Sequence, residues 1–277
     1  MLGKLFKHNL KQVSKLLILI HGALLAFSVI GRIIFSMALN GEGDFNTASA
    51  ATSLITAVYI LLYVLGIFCI AVMTYIFLAR DFQKGMFSNE GYLMHTLPVT
   101  PAQHIWSRCF VFIIWGLIDM IIICASLAII FINSYTMQYL PEFFQEFWSA
   151  MLTAFGTSEF FSTIYMLLTM LISVFFNIFM VYFAICLGSL CKTHKILGAI
   201  GSLAGIYLVL QIVGVIMMLT LGWSPYSVNS NNALIATTST TGMSPAFMGF
   251  SIVFDLLLTV GFYLGIHYIL SRRLNLE

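Results

Sequence analysis

Long apolar runs, each closed at its ends by charged or turn-forming residues, alternate with short polar stretches along the 277-residue chain. Six of these runs are long enough for a bilayer crossing, which takes about 20 apolar residues as a helix. They cover 16–38, 53–79, 109–132, 161–187, 196–221 and 247–270. All six predict helices, because hydrocarbon offers no hydrogen-bond partner to a strand edge or a loose backbone. A β-barrel would need short alternating strands, and the continuous run Leu61–Ile76 does not alternate. The expected fold class is therefore all-α: an integral membrane protein with six transmembrane helices in a single transmembrane domain, 1–277.

Composition agrees. The chain is 61% apolar and 8% charged, against about 45–50% and about a quarter in soluble domains. Net charge is +2, and the placement of the basic residues says more than their sum. Lys4, Lys7, Lys11 and Lys15 precede the first run. Arg80, Lys84 and Arg108 lie between the second and third, Lys192 and Lys195 between the fourth and fifth, and Arg272 and Arg273 after the sixth. The alternate loops hold Glu42, Asp44, Glu142, Glu146 and Glu159 and no Lys or Arg. The positive-inside rule then puts both termini in the cytoplasm, and the expected location is the plasma membrane. A cleaved signal peptide competes at the N-terminus, where Ala48-Ser49-Ala50 resembles a cleavage site, but the first apolar run is longer than a signal h-region. An uncleaved anchor is expected. The cysteines at 69, 109, 124, 186 and 191 lie in spans or at their inner ends, so no extracellular disulfide framework is expected.

The connections carry further detail. Lys4, Lys7, Lys11 and Lys15 recur at helical steps with Leu5, Phe6, Leu10 and Val13 elsewhere around the wheel, which fits an amphipathic surface helix over 1–15 or an ordinary basic flank. In the outer loop 133–160, Pro141 suits a first helical turn. Phe143, Phe144, Phe147, Trp148, Met151, Leu152 and Phe155 would then form one face and Glu142, Gln145, Glu146 and Ser149 the other. Such a helix lies at headgroup depth or lids an exit path. The outer segment 222–246 is either a polar loop or a re-entrant hairpin. In the inner loop 80–108, Asn89 caps a short helix that ends before Leu97-Pro98. Thr100, Pro101 and Gln103 then make a capping box that opens a second helix leading into the third span.

Much catalytic chemistry is missing from the sequence. It holds no Gly-x-x-x-x-Gly-Lys-Ser/Thr loop for a nucleotide, no His-Glu-x-x-His, no paired carboxylate motif and no Cys-x-x-Cys. No catalytic or metal-binding residue is assigned. His21 and His267 are expected to pack or to meet water rather than bind metal. Three ionisable residues fall within the hydrocarbon, Arg32, Asp119 and Asp255, where such groups face a bundle interior or a wet cavity. Helical rise puts Arg32 and Asp255 at matching height, about 25 Å from the inner surface, so they pair or each snorkel outward. Asp119, about 16 Å in, has no obvious cationic partner; it hydrogen-bonds to a neighbouring helix or lines a polar route. Gly201-x-x-x-Gly205 and Gly261-x-x-x-Gly265 would allow close helix approach.

The stretch Glu90-Gly-Tyr-Leu-Met-His-Thr-Leu-Pro-Val-Thr, followed by Arg108 at the opening of the third span, resembles the permeases of type-2 ABC exporters of Gram-positive bacteria. Those permeases hold a Gly-Tyr-Leu-Thr-x-Thr-Leu-Pro-like segment in the same loop; Met94 stands where Thr is common. The resemblance covers about twenty residues in motif and the whole chain in layout. It implies an ABCG-like fold and a coupling helix in the cytoplasmic loop, with Glu90, Gly91, Tyr92, Leu93, Thr96, Leu97 and Pro98 docking in a cleft of a separate ATP-binding subunit. It also implies two ATPases working with two permease chains, a homo- or heterodimer, with ATP and Mg held by the partner and no cofactor here. The expected function is export of an amphipathic peptide, lipid-like or drug-like cargo, with lipid as the other contact and no nucleic acid. The chain itself would not be an enzyme. The rivals are an ion-coupled carrier using Asp119, for which no internal repeat is visible, and a membrane anchor or sensor.

Overall fold

Surrounded by hydrocarbon, a chain gains little by hiding apolar side chains and much by hiding polar ones, and this chain sorts its residues in that sense. The computed structural model describes residues 2–38, 50–87, 100–132, 136–155, 158–191, 194–220, 226–228, 234–236 and 245–272. The helices are α1 (Leu2–Ala38), α2 (Ala50–Phe87), α3 (Pro101–Phe131), α4 (Thr136–Phe155), α5 (Glu159–Ser189), α6 (Lys195–Thr220) and α7 (Pro245–Arg272), with strands β1 (Tyr226–Val228) and β2 (Leu234–Ala236) between the last two. All of these except α4 and the strands are long and apolar enough to cross a membrane. Each of the six expected spans overlaps one of them almost completely. The chain is a multi-pass membrane protein.

It divides into two compact units. The first holds α1, α2, α3 and the start of α4; the second holds the rest of α4, then α5, α6, the strands and α7. In the first unit, α1 and α3 run parallel in a fixed register. Asn9 meets Ser107, and His21 meets Asp119, both pairs 98 residues apart. Helix α2 runs the other way beside them, with Asp81 on Arg108, Thr74 on Asp119 and Tyr63 on Ser126. Leu24, Phe35, Tyr59, Tyr63, Ile70 and Ile130 form this unit's apolar core, where Phe27 stacks on Tyr59 at 5.0 Å. Among the described residues, the buried Asn, His, Ser, Thr, Arg and Asp side chains all belong to these three helices except Ser162.

The second unit is held differently. Helices α5 and α6 form an antiparallel pair whose backbones nearly touch, because a Cβ on Gly188 would lie 2.7 Å from that of Ala199. Ser202 Oγ donates to Ala184 O across the same crossing at 2.8 Å. Helix α7 runs parallel to α5, with Tyr165 on Ser251 at 3.0 Å and rings meeting at Phe176–Phe262, Phe179–Tyr263 and Phe183–Phe262. Helix α6 buries none of its residues in this chain.

Several expectations change. Residues 2–15 are not a separate surface helix: α1 continues without interruption to Ala38, since no Gly or Pro interrupts 4–21 and Ser14 Oγ bonds back to Lys11 O rather than capping a new start. Pro141 lies inside α4 and not in its first turn; Thr136, whose Oγ1 donates to Phe131 O, is where the helix begins. The aromatic face of α4 is exposed, with Phe143, Phe144, Phe147 and Trp148 all open. Helix α2 runs eight residues beyond its expected end at 79, because Phe82 and Met86 are fully buried there. In 222–246, β1 and β2 pair antiparallel, Tyr226 opposite Ala236 and Val228 opposite Leu234. This satisfies the backbone of a run too short to span, and it is a small β addition to the helical fold. Of the two glycine motifs only Gly265 meets a neighbour, Phe183; Gly201, Gly205 and Gly261 face open space.

Candidate functional site

Helix α3 carries the polar residues that bind the first unit together, so its start decides where they point. Thr100 accepts from the Gln103 backbone N–H, and the Gln103 side chain accepts from the Thr100 N–H at 3.2 Å, with Pro at the first helical position. This is the capping box expected from the sequence. It fixes the helix phase so that His104, Ser107, Arg108, Val111, Trp115, Asp119 and Ser126 are buried.

Two contacts tie the basic end together. Asn9 Nδ2 donates to Ser107 Oγ at 3.2 Å, linking α1 to α3. Arg108 Nε donates to Asp81 Oδ2 at 3.3 Å, linking α3 to α2, with 2% and 7% of the two side chains exposed. The guanidinium lies against Gly85, where an added Cβ would require the Arg108 side chain to shift. These residues close the stems of α2 and α3 on either side of 88–99.

About 16 Å further along α3, Asp119 Oδ1 meets His21 Nε2 from α1 and accepts from Thr74 Oγ1 of α2 at 3.2 Å. His21 Nδ1 lies 2.6 Å from Leu17 O. A carbonyl oxygen only accepts, so Nδ1 carries a hydrogen. The His21–Asp119 contact then holds one further proton, as imidazolium with carboxylate or as neutral imidazole with carboxylic acid. Either form is neutral overall, which suits a site in hydrocarbon. Trp115 lies over the imidazole, with ring centroids 5.8 Å apart. At the far end of the unit, Tyr59 Oη donates to Phe27 O at 3.0 Å, and Arg32 Nη1 donates to Ile132 O.

The polar residues expected within the membrane therefore have definite places. Asp119 has a partner that its sequence neighbourhood did not reveal, His21, which was expected to pack or to meet water. The hydrogen bond expected from Asp119 to a neighbouring helix is present through Thr74. Arg32 is held by a backbone carbonyl of α3 in the first unit. Asp255 belongs to the second, where it borders a cavity with Asn177 and Gln211. Glu90, Gly91, Tyr92, Leu93, Thr96, Leu97 and Pro98 lie outside the described residues. Among the described residues no three His, Cys, Asp or Glu side chains are grouped to hold a metal, and the five cysteines are free.

No family model, no curated protein and no solved structure matches the chain.

Proposed function

We propose that the chain is the membrane subunit of an ATP-driven exporter and that 88–99 is where a separate ATPase grips it. The observation that carries this reading is the construction of the stems on both sides of that segment. Helix α3 opens with a capping box three residues after Leu97-Pro98, and the buried Arg108–Asp81 pair ties it to the end of α2. A push on Glu90–Pro98 would then reach α3 as the displacement of a stiff body, not as the bending of a loose connector. Helix α3 in turn carries Ser107 and Asp119, whose partners lie on α1 and α2, so the three helices would move together. Rigid-body movement of packed helices is an established way to turn a cavity from one face to the other. The sequence has no nucleotide-binding loop of its own, which fits hydrolysis on another chain.

The test is isolation from the native membrane in mild detergent. A P-loop ATPase is expected to co-purify with the wild type. It should be lost with the pair Tyr92→Glu and Leu93→Glu, which puts charge on the apolar part of the docking segment. A chain that arrives alone and still moves solute without ATP overturns the proposal.

A second reading, an ion-coupled carrier, draws on the His21–Asp119 pair, since a shared proton in mid-membrane is what proton coupling requires. Reconstituted vesicles separate the two readings: uptake driven by a pH gradient alone supports the carrier, and dependence on ATP with the partner supports the exporter.

A further inference from the structure

We propose that the cavity bounded by α5, α6 and α7 binds a bulky apolar cation, with Asp255 as its counter-ion. The cavity has a volume of about 310 Å³, at the lower end of the range for small-molecule sites, roughly 300–1,000 Å³. Its walls carry rings and thioethers, among them Phe176, Tyr207 and Phe254, and its polar side chains include Asp255, Gln211, Asn177 and Ser251. Asp255 is ten residues, about 15 Å, along α7 from Pro245, so the carboxylate lies well below the helix end. It makes no ion pair and no side-chain hydrogen bond among the described residues; its backbone carbonyl alone accepts, from Thr259 Oγ1. The ion pairs His21–Asp119 and Arg108–Asp81 both lie in the first unit.

A carboxyl group in hydrocarbon is costly unless it meets a partner. A small metal ion is a poor one here, because it needs about six oxygens and the cavity offers one carboxylate, two amides and few hydroxyls. An organic cation suits it better. Its charge would meet Asp255, its surface would replace lipid against the phenyl groups, and Tyr207, Phe176 and Phe254 would present ring faces to the positive centre. The proposal depends on this cavity and not on the coupling of the chain to an ATPase; where both hold, it names a class of cargo.

The experiment uses the full chain in phosphatidylcholine nanodiscs and tetraphenylphosphonium as the probe, with binding measured by equilibrium dialysis. Saturable binding at one site per chain is expected. Asp255→Asn should weaken it at least tenfold, and Asp255→Glu should restore most of the affinity. Tyr207→Ala, a change at an exposed residue, should cost about threefold, the size of an exposed cation–π contact. Neutral triphenylphosphine oxide should not distinguish wild type from Asp255→Asn. Loss of folding is separated from loss of the site by the thermal melt: the probe should raise the wild-type midpoint and leave that of Asp255→Asn where it was. Non-saturable partition into the wild type overturns the proposal. So does equal affinity in a folded Asp255→Asn, or an equal effect of that change on the neutral analogue.

Discussion

Once Leu17 O fixes the hydrogen on His21 Nδ1, His21 and Asp119 can meet only across a shared proton. Removing either residue leaves the other as an unpaired polar or charged group among apolar neighbours, with Thr74 Oγ1 directed at the gap. Breaking a buried pair in this way costs about 3–5 kcal/mol, whereas replacing both members by apolar groups is often close to neutral. His21→Leu and Asp119→Leu should therefore each lower the unfolding midpoint in a dodecyl-sulfate titration, and the double variant should lie nearer to wild type than either single. Additive losses would show that the two residues act separately. The pairing was partly legible in the sequence. Asp119 is visible as a charge in an apolar run, but its partner depends on the register of α1 against α3. Depths counted from Lys15 and Arg108 place His21 and Asp119 at different levels. The observed offset of 98 residues aligns Arg108 with Leu10, beside Lys11, so the membrane boundary in α1 falls a full turn earlier than its last lysine indicates. A lysine can snorkel that far.

Among the elements, the start of α3 was fully legible because its signals are local: Thr100, Pro101 and Gln103 specify a capping box without reference to any distant residue. The helix crossings were not, because small-residue spacing is common in apolar helices and only the partner decides which glycine is used. Helices α5 and α6 cross at Gly188, with Gly198 against Cys191, while Gly201 and Gly205 face open space. The consequence is asymmetric. Gly188→Leu must push Ala199 backbone aside, a change that cannot relax by rotating a side chain and should cost at least the 1–3 kcal/mol typical of overpacking. Gly201→Leu should be tolerated within about 0.5 kcal/mol. Thermal melts of the two variants in one detergent decide the matter; equal losses would mean that α6 packs through the Gly201 face.

At the scale of the molecule, the two units are built on different physics. Polar pairs in constant register join α1, α2 and α3, whereas glycine contacts and tilted ring pairs are prominent between α5, α6 and α7. The difference gives no support to an internal repeat, the usual signature of a secondary carrier. It also fits a division of labour in which the first unit receives a push and the second holds the cavity. Such a division requires the stems of 88–99 to face the compartment that holds ATP. The positive-inside rule predicts that side for them, since eleven of the twelve basic residues fall in the alternate loops and ends that share it. Lysine- and arginine-poor loops translocate and basic ones stay behind, so a cysteine placed at Glu146 should react with a membrane-impermeant maleimide in intact cells. One placed at Lys195 should react only after permeabilisation, once the exposed Cys69, Cys124 and Cys191 have been replaced. Labelling in the opposite sense would put Asp81, Arg108 and the segment they flank outside the cell, where no ATPase could reach them. The exporter reading would then fail, while the Asp255 cavity would remain open to its own test.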